Sequence, residues 1–333
     1  MNIKDDKIQQ PSTRWGTTTS PIIVLVVTGI AVCSAVVGAI VAITLGGKDG
    51  KTTVARNSSM RSFKPVLPKG ITVKDFQTQM DKDALKTLSN LDSAWVDRNI
   101  LKPFLDDINT LGLCMGGVEI AEGQFPDRPD LHRIIEDCAR ILDIKKPRVF
   151  LSEGIGHNAM TMNAADPIII LSTTLLNPYY GGFSEQELYF IIGHEMGHIK
   201  CAHVKWLTMF YFGHNLMPEW LAKILLLPLF KWQREGEGSC DNAGLLCCQD
   251  IDVAERALMR LHLGLADAVI GHIDVDTFLE QRESEEFSTL AEVSLLLKQI
   301  GQTHPFTANR IRQLRTYSSS KQYKEALAKF DQH

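Results

Sequence analysis

The sequence has no C-x-x-C pair and no regular cysteine spacing. Its seven cysteines are Cys33, Cys114, Cys138, Cys201, Cys240, Cys247 and Cys248. The number is odd, one lies in an apolar run and two are adjacent, so no disulfide framework fits. The pattern predicts free thiols in a reducing compartment. Basic excess is also missing. The net charge is −4, the pI is about 6.2, and no long basic stripe runs through the chain, which argues against a nucleic-acid partner. There is no internal repeat and no low-complexity tract. What remains is an ordinary globular composition, 44% hydrophobic and 22% charged over 333 residues. That is enough for one or two domains with a real core.

One segment lacks charge altogether. From Ile22 to Leu45 the chain reads IIVLVVTGIAVCSAVVGAIVAITL. As a helix it would reach roughly 36 Å, enough to span the hydrocarbon core. A cleaved signal peptide would have a shorter apolar region, about 7–15 residues, and a small-residue cleavage site, which is absent here. The reading is a retained single-pass N-terminal anchor. Ala31, Ala35 and Ala39, at four-residue spacing, would allow it to pack on another helix. Lys4, Lys7 and Arg14 precede the run; Lys48, Lys51, Arg56, Arg61 and Lys64 follow it. The excess after the span puts the C-terminal part on the cytoplasmic side. The expected organisation is a polar tail at 1–20, a transmembrane anchor at 21–46, a linker at 47–75 and a folded domain at 76–333.

From Phe76 to Ile144 the texture is mainly helical. Leu85, Leu88, Leu91 and Trp95 form one core stripe; Ile134, Ile135, Cys138, Ile141 and Leu142 form another. These stripes predict packing without chemistry. Arg148–Leu151 and Pro167–Leu171 read as short strands flanking a polar stretch, His157–Asn163. Ser184 followed by Glu187 is a capping box, so a helix should start there and run past His203. Trp206–Trp232 is apolar but interrupted, and its unbroken stretches are too short to cross a bilayer. It predicts a helical hairpin. Either it lies at a membrane surface with Trp206, Tyr211, Trp220 and Trp232 at the interface, or it is buried in the core.

The segment His194-Glu195-Met196-Gly197-His198 carries the chemistry. Four residues on a helix turn through about 400°, so the two imidazoles leave nearly the same face, one turn apart. Both can bind one tetrahedral metal. Glu195 lies about 100° around the helix, poorly placed as a ligand but well placed as a base toward water. The implied reaction is zinc-assisted hydrolysis with Glu195 as general base. A third ligand is needed. A Gly at 201 with a His at 204 would supply one known solution, but those positions hold Cys201 and Val204. His203 is one position off and would pack beneath the site. The other solution is a later acidic residue, within Arg234–Gly244. On a helix Glu237 and Asp241 share a face, so one can ligate while the other holds a ligand imidazole by its free N–H. Glu235, Glu237 and Asp241 remain open on these grounds. Gly236 and Gly238 would mark the start of that helix.

These blocks together resemble the integral-membrane gluzincin peptidases, which include the CAAX prenyl endopeptidases, HtpX and the mitochondrial inner-membrane stress protease. The resemblance covers about Leu131–Leu314. It rests on His157-Asn158-Ala159 with Ile168–Leu176, on Glu187 through His203, on Glu237-x-x-x-Asp241, and on Thr303-His304-Pro305 with Asn309-Arg310-Ile311. It implies that Zn²⁺ is held by His194, His198 and Glu237, with Asp241 supporting a ligand. It implies that His304 stabilises an oxyanion and that Arg310 braces Asp241 or the substrate backbone. It places Asn158 and Ala159 on an edge strand that pairs with extended substrate.

The expected fold is therefore α+β: a mainly helical zincin domain with a small β-sheet, plus one transmembrane helix. The expected activity is membrane-anchored zinc metalloendopeptidase, acting on membrane or misfolded proteins. Protein or peptide substrates, the lipid bilayer, and a homo-oligomer or membrane scaffold are the expected partners. The alternatives are a catalytically idle membrane scaffold and a zinc hydrolase for another substrate class.

Overall fold

The structure is a computed structural model that describes residues 63–91, 117–121, 130–153, 158–163, 166–176, 182–208, 219–263, 274–283 and 307–330. All of them belong to one unit, Ser59–His333. The expected anchor Ile22–Leu45 lies outside the described residues, as do His157, Tyr211 and His304. Among the described residues, no helix is long and apolar enough to cross a membrane.

The described chain opens with a short 3-10 turn at Val73–Asp75 and helix α1 at Gln79–Leu91. Strand β1 is Val118–Glu119 and helix α2 is Asp130–Ile141. The predicted stripe on α2 is buried as expected: Ile134, Ile135, Cys138, Ile141 and Leu142 all lie in the core. Strands β2 (Arg148–Ser152), β3 (Ala159–Met162) and β4 (Ile168–Ser172) follow. With β1 they make one sheet in the order β1-β2-β4-β3. β2 and β4 run parallel, with Arg148 opposite Ile168 and Ser152 opposite Ser172. β3 runs antiparallel to β4, with Ala159 opposite Leu171 and Met162 opposite Ile168. Every residue of β4 is buried, which is why that strand reads as an unbroken Ile/Leu run. β1 and β3 are the two edges of this sheet.

Helix α3, Glu185–Lys200, starts where its cap predicts. Ser184 Oγ accepts the amide of Glu187, and the Glu187 carboxylate accepts the amide of Ser184 at 2.7 Å. That carboxylate also receives Arg260 Nη1 at 2.6 Å. From Glu187 to His198 every residue of α3 is buried, so the helix is central and not amphipathic. The expectation that it runs past His203 is corrected. It ends at Lys200, with Cys201 as its cap and Ala202 at φ 58. A non-glycine residue in that left-handed region reverses the chain and starts helix α4, Val204–Thr208.

Helix α5 is Glu219–Cys248, and helix α6 is Ile251–Leu263. Helices α7 (Val275–Glu283), α8 (Thr307–Ser319) and α9 (Lys321–Leu327) complete the description. Gly236 and Gly238 do not start a helix; they lie well inside α5. Each costs about 1 kcal/mol of helix propensity relative to alanine. Trp206 and Trp232 are buried within the protein, so those two rings do not serve a membrane surface. Cys138, Cys201, Cys240, Cys247 and Cys248 are free thiols, as the spacing predicts.

Helices α3 and α5 pack backbone to backbone. A Cβ on Gly193 would meet Cys247 Cβ at 2.7 Å, and one on Gly197 would meet Ala243 Cβ at 2.9 Å. From the other side, a Cβ on Gly244 would meet the Phe190 carbonyl oxygen at 2.7 Å. Three glycines thus let the two helices touch where the predicted site residues face each other.

The described ends of the chain are fastened together. Lys329 Nζ donates to Asp75 Oδ2 at 2.7 Å and to the Gly70 carbonyl at 3.0 Å. Tyr317 Oη donates to the Asp75 carbonyl at 2.8 Å.

Candidate active site

α3 presents His194 and His198, and α5 presents Glu237. His194 Nε2 lies 3.6 Å from Glu237 Oε2, and His198 Nε2 lies 3.7 Å from Glu237 Oε1. All three side chains are buried. Their ligand atoms lie within 4.8 Å of one another. A tetrahedral zinc with bonds of ~2.0–2.1 Å has ligand edges of roughly 3.4 Å, so the set fits such an ion. Two imidazole nitrogens and a carboxylate are also the donor chemistry zinc takes at a hydrolytic site. Glu235 is half-buried and takes no place in this group.

Two other buried groups meet the same distance: His198, His203 and Cys240; and Asp81, Cys201 and His203. Both depend on His203 and on thiols. Burial pushes the Cys201 and Cys240 thiols well above their ordinary value, which favours the protonated form over a ligating thiolate. Of the three groups, the first borders the open pocket.

That small pocket is lined by Asn158, Ala159, Phe190, Ile191, His194, Glu195, Leu261 and Arg310. Five expected site residues therefore meet there, from β3 and the residue before it, from α3 and from α8. Ala159 opens the edge strand, and the carbonyl of Asn158 accepts the Ser172 amide at 2.9 Å.

Asp241, one turn beyond Glu237, accepts the His194 Nδ1–H at 2.9 Å through Oδ1. It also takes a two-pronged contact from Arg310: Nε to Oδ2 at 2.8 Å and Nη2 to Oδ1 at 2.6 Å. Arg310 Nη1 lies 3.4 Å from Glu237 Oε2. Burial pushes the Asp241 carboxyl up, but the Arg310 charge and hydrogen bonds outweigh it and hold the group below its ordinary value. Of the two roles expected for Arg310, bracing Asp241 is the one this geometry displays.

Sequence reasoning missed two partners. Thr161, on β3, donates from Oγ1 to Glu195 Oε2 at 2.6 Å. Alternation along a strand marks Thr161 as sharing a face with Ala159, but nothing local says what that face meets. Asp81, on α1, reaches His203 Nε2 at 3.1 Å, and His203 Nδ1 lies 3.1 Å from His198 Nδ1. The stripe containing Leu88 was read as core alone, and Asp81 lies among its buried positions.

Comparison with known proteins identifies a peptidase family. The description Peptidase family M48 matches residues 126–318. The chain is 28% identical over 281 residues to the Plastoglobule-localized metallopeptidase 48, chloroplastic, of Arabidopsis thaliana, covering 80% of this chain and 79% of that one. It is 32% identical over 90 residues to the Protease HtpX homolog of Streptococcus equi subsp. equi (strain 4047), covering 26% of this chain and 29% of that one. No solved structure matches the chain.

Proposed function

The chain belongs to peptidase family M48, and we propose that it is a membrane-anchored zinc endopeptidase with His194, His198 and Glu237 as metal ligands. One observation carries this reading: two imidazole Nε2 atoms and one carboxylate converge, buried, and one of them, His194, lines a pocket beside Glu195. Zinc bound there supplies Lewis acidity, which acidifies water and polarises a peptide carbonyl. Glu195 takes the proton from the attacking water. Its Oε2 is held by Thr161, so Oε1 is the atom that receives it. Asp241 fixes the His194 tautomer by accepting its Nδ1–H, and Arg310 keeps Asp241 ionised. Substrate enters as an extended strand along β3 beside Asn158 and Ala159, where the sheet has one of its edges. By the family resemblance, His304, which lies outside the described residues, would stabilise the oxyanion. The Ile22–Leu45 anchor keeps this site near a bilayer, facing the cytoplasm, which suits membrane and misfolded protein substrates.

The test uses the full chain purified in detergent. Wild type should hold one zinc and digest unlabelled peptides, and Glu195→Gln should keep the zinc while losing about 10²-fold or more in kcat. Glu237→Ala should lose zinc, and Glu235→Ala should retain it. Zinc retained by Glu237→Ala would refute the ligand assignment. Peptides left intact by zinc-loaded wild type would refute the peptidase reading.

A further inference from the structure

The two ligand imidazoles are not supported alike. His194 meets a carboxylate directly, through Asp241. His198 meets another imidazole. Its Nδ1 lies 3.1 Å from His203 Nδ1, and His203 Nε2 lies 3.1 Å from Asp81 Oδ2. This rests on the zinc reading above. If His198 offers Nε2 to the metal, its proton must sit on Nδ1. His203 must then accept at Nδ1 and carry its own proton on Nε2, which points at Asp81. Only this one assignment satisfies both contacts.

Asp81 is arranged to receive that proton. Its Oδ2 also accepts Ser239 Oγ at 2.7 Å and Gln77 Nε2 at 3.0 Å. Burial pushes its carboxyl up, but the hydrogen bond and charge of His203, then the bonds from Ser239 and Gln77, hold it below its ordinary value. Its Oδ1 is buried with no hydrogen-bond partner among the described residues. A core position filled only for packing would not carry that cost. The Cys240 thiol also approaches His203 Nδ1, at 3.6 Å, but a thiol is a weaker and longer donor than an imidazole N–H.

We propose that Asp81 and His203 are positioning residues that fix the tautomer and orientation of His198 toward zinc, giving the second ligand the carboxylate support that Asp241 gives the first. Asp81 lies outside the family match at residues 126–318, so a helix upstream of it completes the site.

The test measures zinc retention by the full-length protein in detergent against a competing chelator. Asp81→Asn should weaken zinc binding by about 10- to 100-fold. It should also shift the ligand-field spectrum of the cobalt-substituted protein. Cys240→Ala should leave retention unchanged. Nitrogen NMR of wild type labelled at histidine gives a reading that no folding defect can cloud: His203 should be protonated at Nε2 and bare at Nδ1. Wild-type-like retention and spectrum in Asp81→Asn, or a proton on His203 Nδ1, would overturn the proposal. Two zinc ions per wild-type chain would also overturn it, since the cluster would then be a cation site itself. If wild type held no zinc, the fault would lie with the metal reading.

Discussion

At the scale of single residues, the site is a set of carboxylates, each held by a different device. Glu195 is held by Thr161, Asp241 by Arg310 and Asp81 by three donors. A hydrogen bond to a charged carboxylate contributes about 1.5–3 kcal/mol, and 1.4 kcal/mol is about tenfold in rate. Thr161→Val keeps the shape and removes the hydroxyl, so kcat should fall about tenfold or more with KM unchanged; steady-state kinetics on one peptide would read this. A rise in KM alone would mean that Thr161 serves substrate binding and not the base. Residues linked by helical spacing were legible in the sequence, because i and i+4 share a face whatever the rest of the fold does. His194 with His198 and Glu237 with Asp241 are such pairs. Thr161 and Asp81 were not legible. Their partners lie 34 and 122 positions away, and no local pattern encodes that distance.

At the scale of elements, the glycines between α3 and α5 set the spacing of the ligands. Gly244→Ala would push a methyl group against the Phe190 carbonyl and ring, at 2.7 and 2.8 Å. Such overpacking costs about 1–3 kcal/mol, so the melting temperature and zinc retention should fall together. A Cβ on Gly238 would press on the flexible end of Gln313 and make ordinary contact with Thr78 Cγ2, so Gly238→Ala should match or exceed wild-type stability. The capping box of α3 is legible in four residues, and the strands expected at 148–151 and 167–171 fall within one residue of those found at 148–152 and 168–172. The end of α3 is not legible. Ala202 turns left-handed with no glycine to announce it, and this reversal brings the His203 ring back beneath His198. The start of α5 was misplaced because glycine propensity was weighed without the packing that overrides it.

At the scale of the whole molecule, the fastening of the 3-10 turn to the C-terminal helices gives a pH signature. Burial pushes the Asp75 carboxyl up, but Lys329 and Thr72 outweigh it and hold the group below its ordinary value. A depressed carboxylate contributes stability above its unfolded value, about 3.9, and loses it as pH falls through the folded one. Wild type should therefore lose more stability on acidification below that value than Lys329→Gln does. The difference should be about 1 kcal/mol or less, measured by denaturant midpoints across pH 3–7. Cytoplasmic exposure of the domain would appear as its digestion by added protease in vesicles with the cytoplasmic face outward. The order in which the parts leave the ribosome matters too. Glu237 and Asp241 are made well before Arg310, so an unfinished chain that docked α3 on α5 would bury two carboxylates without their cation. Uncompensated buried charge costs several kcal/mol, which holds the half-made site open. Released chains truncated before Thr307 should retain no zinc, whereas the full-length chain should retain it. The last helices would then act as a built-in delay on zinc loading.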